Sequence, residues 1–339
     1  MRSPLQDARP PNVRPPSGGM VSIKQLLTAV ILFSAAIDGY AQAFPSKGVR
    51  LILPFPTGSG FVIGQVLSDG LRDTFKQGIT AEPRPGAGGS IALEMVAKAP
   101  PDGHTLLVAS PILTIAPIVR PSLKLDALRD FAPITLIGNI ANLMVVHPVV
   151  PARNIRDFIK EARAHGGKLT YGSSGQGSTN HLVTELFCIL AKVKLTQVPY
   201  KSATFAVLDL VRGDVDVVIG AKTSVAQFIP TNKLRVIATL GTKREPDLPD
   251  VPTAIEQGMP ELVAVNYYGI LAPGGTPPEI IDTLYREITR VSKSEAARRA
   301  YAKAELDLVL NTPAQFTEFI KQDSAKWRRV VREANVKLE

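Results

Sequence analysis

Two segments rich in glycine and hydroxyl side chains hold residues that could bind an anion. Each follows an apolar run and leads into a helical pattern: the first is Thr57, Gly58, Ser59 and Gly60, and the second is Ser173, Ser174, Gly175, Gln176, Gly177, Ser178 and Thr179. Such a turn directs unpaired N–H groups and the positive end of a helix dipole at one point. One glycine loop is also explained by a sharp turn alone, but the pair predicts that both loops bind one small ligand. Because neither loop contains arginine, we expect backbone N–H groups and hydroxyls to compensate a buried carboxylate.

Two further side chains are candidates for the same site. Lys222 follows a strand predicted at residues 215–219, at the end of the sheet where open α/β folds bind ligands. Gly220 before it offers no acid, so we predict that the ammonium group pairs with a second carboxylate of the ligand. A solvated surface lysine is the other interpretation. Tyr267, on a later strand, is predicted either to line the site or to pack in the core.

The first glycine segment also allows a different class of protein. Gly58, Gly60 and Gly64 follow a strand, and Glu82 comes later, as the acid that binds ribose does in dinucleotide-binding folds. The glycine spacing is one residue too long for that motif. An NAD(P)-dependent oxidoreductase that uses the loop at residues 58–64 is therefore the alternative function.

Histidine and cysteine residues give no sign of catalysis or metal binding. His181 lies near Ser173, but the Gly-x-Ser-x-Gly elbow of many hydrolases is absent. A histidine on the first helical turn is instead predicted to anchor its own loop. Cys188 lies in an apolar pattern and is predicted to be a core residue, and the four histidines show no ligand spacing with each other or with it. We predict no metal, no cofactor and no enzyme.

The first 43 residues differ in composition from the rest of the chain. Residues 1–19 are rich in proline and poor in apolar side chains, which predicts disorder. From Met20 the sequence matches a secretory signal peptide, with Lys24, an apolar stretch at residues 26–37 and Ala-Gln-Ala at residues 41–43. We predict that translation begins at Met20, that residues 1–19 come from an overlong gene start, and that residues 20–43 direct export with cleavage after Ala43.

The net charge and the length of the chain limit the kinds of partner and the number of domains. The net charge is +9 at pH 7, and removal of residues 1–43 takes away four basic and two acidic residues, so +7 remains. The basic residues are scattered among acids, which argues against nucleic acid as a partner and favours small anions. With 339 residues and a hydrophobic fraction of 45%, the chain is expected to form two lobes or domains.

Strand and helix patterns alternate from residue 48 onward, which predicts an α/β fold with a parallel sheet covered by helices on both faces. Strands are predicted at residues 49–55, 79–82, 105–109, 134–147, 168–171, 195–199, 215–219, 234–240 and 263–271. Helices are predicted at residues 61–76, 90–98, 154–165, 179–191, 203–211, 277–292, 294–304 and 313–334.

An ordered set of short motifs runs through residues 44–339. They are Phe44-Pro45-Ser46-Lys47, Pro54-Phe55-Pro56-Thr57-Gly58, Arg84-Pro85-Gly86-Ala87-Gly88-Gly89, Pro101-Asp102-Gly103-His104-Thr105, Val198-Pro199-Tyr200-Lys201, Leu248-Pro249-Asp250-Val251-Pro252-Thr253, and Tyr268-Gly269 with Ala272-Pro273 and Thr276-Pro277. With this set the chain resembles the Bug family of extracytoplasmic solute receptors, the periplasmic binding components of tripartite tricarboxylate transporters.

The resemblance implies a type II periplasmic-binding-protein fold, in which two α/β lobes joined by two crossover strands close on a ligand. Lobe 1 would comprise residues 44–146 and 266–339, and lobe 2 residues 147–265, with crossovers near residues 145–148 and 263–267. The family's ligand loops fall on the two glycine segments described above, and Ser110, after the strand at residues 105–109, is a further candidate.

The implied partners are a di- or tricarboxylate or an aromatic acid and, transiently, the membrane subunits of a transporter, with the receptor itself a monomer. This chain departs from the family at two positions. Many members carry an aspartate where it has Val62, and another where it has Gly220. The loss of both acids favours a plain carboxylate with an apolar or aromatic body over an amino acid.

Overall fold

The computed structural model describes residues 44–336. The predicted disordered start and signal peptide, residues 1–43, lie outside the described residues. A ten-stranded sheet runs through the described part of the chain, and its strand order is β2-β1-β3-β9-β4-β7-β5-β6, with β8 and β10 paired to β4. The strand boundaries are given below with the lobe to which each strand belongs.

The first lobe is built around a parallel group of three strands. Strand β1 pairs in parallel with β2 and β3, and β9 runs antiparallel to β3; the bounds are β1 Val49–Leu53, β2 Ile79–Pro83, β3 Thr105–Ala109 and β9 Val265–Pro273. Three helices follow the parallel strands: α1 Ser59–Phe75, α2 Ser90–Ala97 and α3 Ile112–Val119. Strand β3 is buried along its whole length, as expected for a strand covered on both faces.

The second lobe repeats this arrangement with a second parallel group. Strand β5 pairs in parallel with β6 and β7; the bounds are β5 Thr170–Ser173, β6 Thr196–Pro199, β7 Val217–Ala221 and β8 Arg235–Thr239. Its helices are α4 Ile155–Ala164, α5 Thr179–Ala191, α6 Ala203–Arg212 and α7 Lys222–Val225.

One long strand, β4 Phe131–Val146, belongs to both lobes. Its residues up to Ala141 pair antiparallel with β9, and those from Asn142 pair with β7 and β8. The change of partner thus lies a few residues before the crossover expected at residues 145–148. The expected lobe limits at residues 146 and 266 remain a prediction.

The C-terminal segment returns to the first lobe and reaches the second. It contains α8 Pro278–Ser292, α9 Glu295–Lys303, β10 Asp307–Leu308 and α10 Pro313–Glu333. Helix α10 begins at a capping box, in which Thr312 and Gln315 satisfy each other's backbone N–H groups. Phe316 near its start packs in the first lobe's core, whereas Trp327 packs with Phe187 of the second. Helix α10 therefore braces both lobes.

The predicted two-lobe α/β fold is confirmed, with two differences. The sheet is mixed rather than all parallel, because β4 and β9 run antiparallel to their neighbours. Helix α3 was not predicted, because Pro117 lies inside it and its buried residues face both lobes, so no amphipathic period is visible. Within residues 44–336, no helix is both long and apolar enough to cross a membrane.

Candidate functional site

A cavity of about 540 Å³ lies between the two lobes, at the ends of the strands where α3, α5 and α6 begin. A smaller cavity of about 220 Å³ adjoins it on the first lobe. The two share Phe55, Ser110 and Tyr268 as lining residues. The larger volume falls within the range of small-molecule sites, and the position is the one expected for ligands of open α/β sheets.

The second lobe contributes a polar wall, which comes from three chain segments. The loop before α5 supplies Ser174, Gln176, Gly177, Ser178, Thr179 and Asn180; the start of α6 supplies Lys201, Ser202 and Ala203; and the end of β7 supplies Gly220 and Ala221. Ser202 is the N-cap of α6, but its hydroxyl makes no capping hydrogen bond. Because the first-turn N–H groups of a helix have no partner within the helix, both helix starts present donors to the cavity.

Glycine and histidine hold the loop before α5 in its conformation. Gly175 and Gly177 have φ values of 98° and 72°, which disfavour residues with a Cβ atom. The N–H of Gly177 donates to Nδ1 of His181 at 2.9 Å, so His181 anchors its own loop as predicted. Burial lowers the pKa of His181 to about 4, which keeps the ring neutral and Nδ1 able to accept.

Asn180 carries a buried donor without a partner. Its Oδ1 accepts hydrogen bonds from the N–H of Ser174 at 3.2 Å and from the Ser174 hydroxyl at 2.8 Å. Because a backbone N–H can only donate, these bonds fix the orientation of the amide. Its Nδ2 is buried and makes no hydrogen bond, although Asn180 lines the cavity. A ligand oxygen would satisfy this donor.

The first lobe contributes a wall that is mostly apolar. Its apolar lining side chains are Phe55, Pro111, Ile112, Ile115, Ala116 and Val119, all but Phe55 from the start or body of α3. Ser110, just before that helix, lines both cavities and its hydroxyl makes no hydrogen bond to a described residue. Arg120, at the other end of α3, lines the larger cavity and donates to the carbonyl oxygen of Ala87 at 2.7 Å.

Two asparagines from the crossover strands line the same cavity. Nδ2 of Asn266 donates to Oδ1 of Asn142 at 2.7 Å, and Nδ2 of Asn142 donates to the carbonyl oxygen of Ala264 at 3.0 Å. Asn142 is almost completely buried. This pair ties β4 to β9 where the lobes meet.

The first glycine segment lies mainly beside the smaller cavity. Thr57 and Gly60 line that cavity. Gly58 is the N-cap of α1, with φ 82° and ψ −170°, and does not line either cavity. Ser59 is buried and its hydroxyl donates to the carbonyl oxygen of Ala304 at 3.2 Å. Only two of the four predicted residues therefore reach the site.

The placement predicted for Lys222 is wrong, because the side chain does not line the cavity. It is 6% exposed, and its Nζ lies 3.2 Å from Oε2 of Glu245 and forms an ion pair with Asp247. Burial lowers the pKa of Lys222, but its hydrogen bonds to Asp247 and Glu245 outweigh this and raise the pKa above its ordinary value. Glu245 and Asp247 come from the segment after β8. Strand β4 pairs with both β7 and β8, so this segment lies near Lys222 although it is distant in sequence. The lack of an acid at Gly220 therefore did not exclude an acidic partner.

Tyr267 also lies away from the cavity. It is fully buried, with its hydroxyl 3.3 Å from Oγ1 of Thr114 and its ring against Phe316 and Phe319. Successive residues of a strand face opposite sides of the sheet, and it is Tyr268 that lines both cavities.

In the second glycine segment, Ser173 and Gly175 do not line the cavity. Ser173 is fully buried, and its hydroxyl oxygen accepts from Nε2 of Gln197 at 2.7 Å. The other predicted residues of this segment, Ser174, Gln176, Gly177, Ser178 and Thr179, all line it. The structure thus brings this segment and Ser110 together at one cavity.

The electrostatics of the site favour an anion. Among residues 44–336, no aspartate or glutamate lines either cavity, whereas Arg120 and Lys201 line the larger one. Four helices begin at the two cavities, namely α1, α3, α5 and α6. The described part of the chain contains no group of three or more acids, histidines or cysteines that could hold a metal ion.

Sequence reasoning missed three kinds of site residue. Asn180 lies in the helix predicted at residues 179–191 and was not among the candidates, although the amide of an asparagine just inside a helix start can donate to a ligand. Lys201 belongs to the motif that ends at β6, and Arg120 follows the unpredicted helix α3. The guanidinium group of Arg120 donates to the carbonyl oxygen of Ala87 in the glycine turn at residues 85–89. No feature near Arg120 in the sequence indicates this contact.

Comparison with known proteins agrees with this architecture. The family model described as Tripartite tricarboxylate transporter family receptor matches residues 63–336. Protein BugT of Bordetella pertussis is 33% identical over 326 residues, which cover 94% of this chain and 100% of BugT.

Two solved structures are similar in sequence and in fold. A structure of R. palustris Rpa4515 with adipate is 28% identical, has a TM-score of 0.73 and covers 87% of this chain and 99% of that one. The periplasmic binding protein BugD is 25% identical, has a TM-score of 0.71 and covers 87% of this chain and 100% of that one. These similarities set aside the NAD(P)-dependent oxidoreductase. The chain belongs to the tripartite tricarboxylate transporter receptor family, whose members are periplasmic solute-binding proteins of the Bug type and not enzymes.

Proposed function

We propose that this receptor captures a small carboxylate, of the di- or tricarboxylate or aromatic acid class, and delivers it to the membrane subunits of a tripartite tricarboxylate-type transporter. The observation that carries the proposal is a cavity between the lobes that has helix starts and two cationic side chains but no acid. The structure of Rpa4515 with adipate supports a carboxylate ligand.

The absence of acids also bears on amino acids as ligands. An ammonium group transferred from water into the cavity would find no carboxylate partner there. The positive helix ends and the side chains of Arg120 and Lys201 would repel it. We therefore expect the receptor to discriminate against amino acids.

Titration calorimetry of the exported protein tests the proposal with matched ligands. Glutarate, adipate and benzoate are compared with their neutral amides and, for glutarate, with glutamate, which adds only the ammonium group. We expect at least one acid to bind and its amide and amino derivatives to bind far more weakly. A bound acid at a hundred times its dissociation constant should also stabilise the protein by about 2.7 kcal/mol. Amides that bind as tightly as the acids would refute a carboxylate receptor.

The export step has its own support and test. The ring of Phe44 lies 5.9 Å from that of Phe75 and 5.1 Å from that of His104, and the N–H of Ser46 donates to Nε2 of His104. The folded body can therefore start at Phe44, directly after the proposed cleavage site. N-terminal sequencing of the periplasmic protein should find Phe44 first.

Coupling to a transporter is tested by uptake. Vesicles that contain the cognate membrane subunits should accumulate the bound acid only when the receptor is added. Uptake that does not depend on the receptor would show that this receptor does not deliver the acid to those membrane subunits.

A further inference from the structure

We infer that Asn266 is a specificity-determining residue, whose Oδ1 accepts a hydrogen bond from a hydroxyl group on the body of the ligand. This inference rests on the proposed carboxylate-receptor function and describes the ligand more closely, as a hydroxylated carboxylate. The observation that carries it is the amide pair of Asn142 and Asn266, which both line the larger cavity. A backbone carbonyl oxygen fixes which atom of each amide donates and which accepts.

The carbonyl oxygen of Ala264 sets the orientation of both amides. Because a carbonyl oxygen can only accept, the atom of Asn142 that lies 3.0 Å from it is the donor Nδ2. The Oδ1 of Asn142 is then the acceptor that lies 2.7 Å from the amide of Asn266. Asn266 must therefore donate with its own Nδ2, which leaves its Oδ1 over. That oxygen accepts no hydrogen bond from any of residues 44–336.

Strand β9 carries Asn266 on the face that lines the cavity. Residues two apart on a strand share a face, and Asn266 and Tyr268 both line the larger cavity while Tyr267 between them is buried in the core. Asn142 on β4 is only 2% exposed, and its strand partner Ala221 lines the same cavity. Turning the amide of Asn266 over would set its oxygen against the oxygen of Asn142 and break the hydrogen bond between them. The pair therefore holds one acceptor at the cavity where the two lobes join.

An acceptor is an exception in this cavity, where helix starts, Arg120 and Lys201 offer donors and no described acid lines the walls. A carboxylate cannot satisfy the Oδ1 of Asn266, because it has no hydrogen to donate. An ammonium group has one, but a neutral amide does not compensate its charge. A hydroxyl group donates without bringing a charge, whereas a ligand that displaces water from Oδ1 and offers no donor loses affinity.

The inference changes the expectation drawn from Val62 and Gly220. The loss of acids at those two positions favours a plain carboxylate over an amino acid, and that argument concerns the ammonium group alone. Asn266 adds a requirement of its own, which a hydroxyl group on the ligand meets.

Pairs of acids that differ by one hydroxyl group test the inference by titration calorimetry of the unchanged protein. Succinate is compared with malate, glutarate with 2-hydroxyglutarate, and tricarballylate with citrate, and each enantiomer of a chiral acid is measured separately. In at least one pair, we expect the hydroxylated acid to bind at least about threefold more tightly than its partner. A smaller gain in every bound pair overturns this inference and leaves the proposed function intact. No binding by any acid, with or without a hydroxyl group, overturns the proposed function and this inference with it.

A matched pair of variants assigns the preference to Asn266. Asn266→Ala removes the acceptor, whereas Asn139→Ala makes the same change on β4, opposite Tyr267 and outside both cavities. We expect Asn266→Ala to bring the affinities of the two acids of the preferred pair within about twofold of each other, and Asn139→Ala to leave their ratio unchanged. If Asn266→Ala weakens both acids equally and the preference survives, Asn266 has a structural role only and the inference is overturned. Should this variant not fold, the ligand pairs decide alone, because they use the unchanged protein.

Discussion

The two walls of the cleft differ in how they can recognise a ligand. The wall of the second lobe carries hydroxyls, amides and the N–H groups of two helix starts, which are directional and demand an acceptor. The wall of the first lobe is apolar over most of α3, with the hydroxyl of Ser110 before the helix and the guanidinium group of Arg120 after it. For the carboxylate proposed above, the second lobe would therefore supply most of the polar contacts and the first lobe most of the apolar ones.

The strongest test of the polar wall changes the backbone that forms it. Gly177→Val places a β-branched residue at φ 72° in the lining of the larger cavity, so the loop before α5 should lose its conformation. We expect carboxylate binding to become undetectable by calorimetry while circular dichroism shows a folded protein. Gly258→Val is the control, because Gly258 has a φ of 83° and lies outside both cavities. Gly177→Val with unchanged affinity would contradict the role of this loop.

The next test removes one donor and keeps its surroundings. Asn180→Asp retains an oxygen to accept from the N–H and hydroxyl of Ser174, but replaces the unpartnered Nδ2 with a negative oxygen. Loss of a hydrogen bond to a charged group costs about 1.5 to 3 kcal/mol, and repulsion adds to it, so we expect carboxylate affinity to fall about a hundredfold or more. The melting temperature without ligand should change little. An affinity within threefold of the wild type would show that Asn180 does not bind the ligand.

The stability of the protein should also depend on pH through His181, which anchors the loop of the polar wall. This ring is 5% exposed, and burial lowers its pKa to about 4, below the ordinary value of 6.5. Since the unfolded chain then binds the proton more readily, stability should be constant above about pH 6.5 and fall as the pH drops toward 4, by about 2 kcal/mol at pH 5.

The variant His181→Gln isolates this contribution. Glutamine can still accept from Gly177 but has no proton to gain, so the loss of stability between pH 6.5 and 4 should be smaller than in the wild type. The comparison matters because burial raises the pKa of the nearby Glu185, and that group acts in the opposite direction. Denaturant titrations at several pH values measure the difference between the two proteins. Equal slopes with pH would mean that His181 is not the titrating group.

The same contrast between walls explains what the sequence could predict. The loop before α5 is a local feature, in which glycines, a capping serine and a following helix lie within a few residues, so its role as a donor surface was predicted. Helix α3 is short, contains Pro117 and is apolar toward both lobes, so it has neither a polar face nor a clean start signal. The alternation of strands and helices was predicted well because it depends on apolar periodicity along the chain.

Long-range partners were the other limit. Lys222 was predicted to meet the ligand because no acid is near it in sequence, but Glu245 and Asp247 reach it from beyond β8. Tyr267 was predicted either to line the site or to pack in the core, and it packs in the core while Tyr268 lines the cavity. The choice stayed open because an alternating pattern does not say which face of an internal strand meets a cavity. Strand pairing decides both cases, and the sequence alone does not reveal it.

The mildest test concerns the one lysine of the polar wall. Lys201 is exposed and makes no ion pair with any residue that the structure describes, so it acts on the ligand through solvent. An exposed charge contributes up to about 1 kcal/mol, which corresponds to at most about fivefold in affinity, and salt screens it. Lys201→Ala should therefore weaken the binding of a carboxylate two- to fivefold at low ionic strength and hardly at all in about 1 M salt.

Lys168→Ala is the control for this variant. It removes the same charge from an exposed site before β5, at the end of the sheet away from the cavity, and should have no effect on binding. An equal loss in both variants would reduce the role of Lys201 to net charge, whereas a loss that persists in high salt would place its ammonium group in direct contact with the carboxylate.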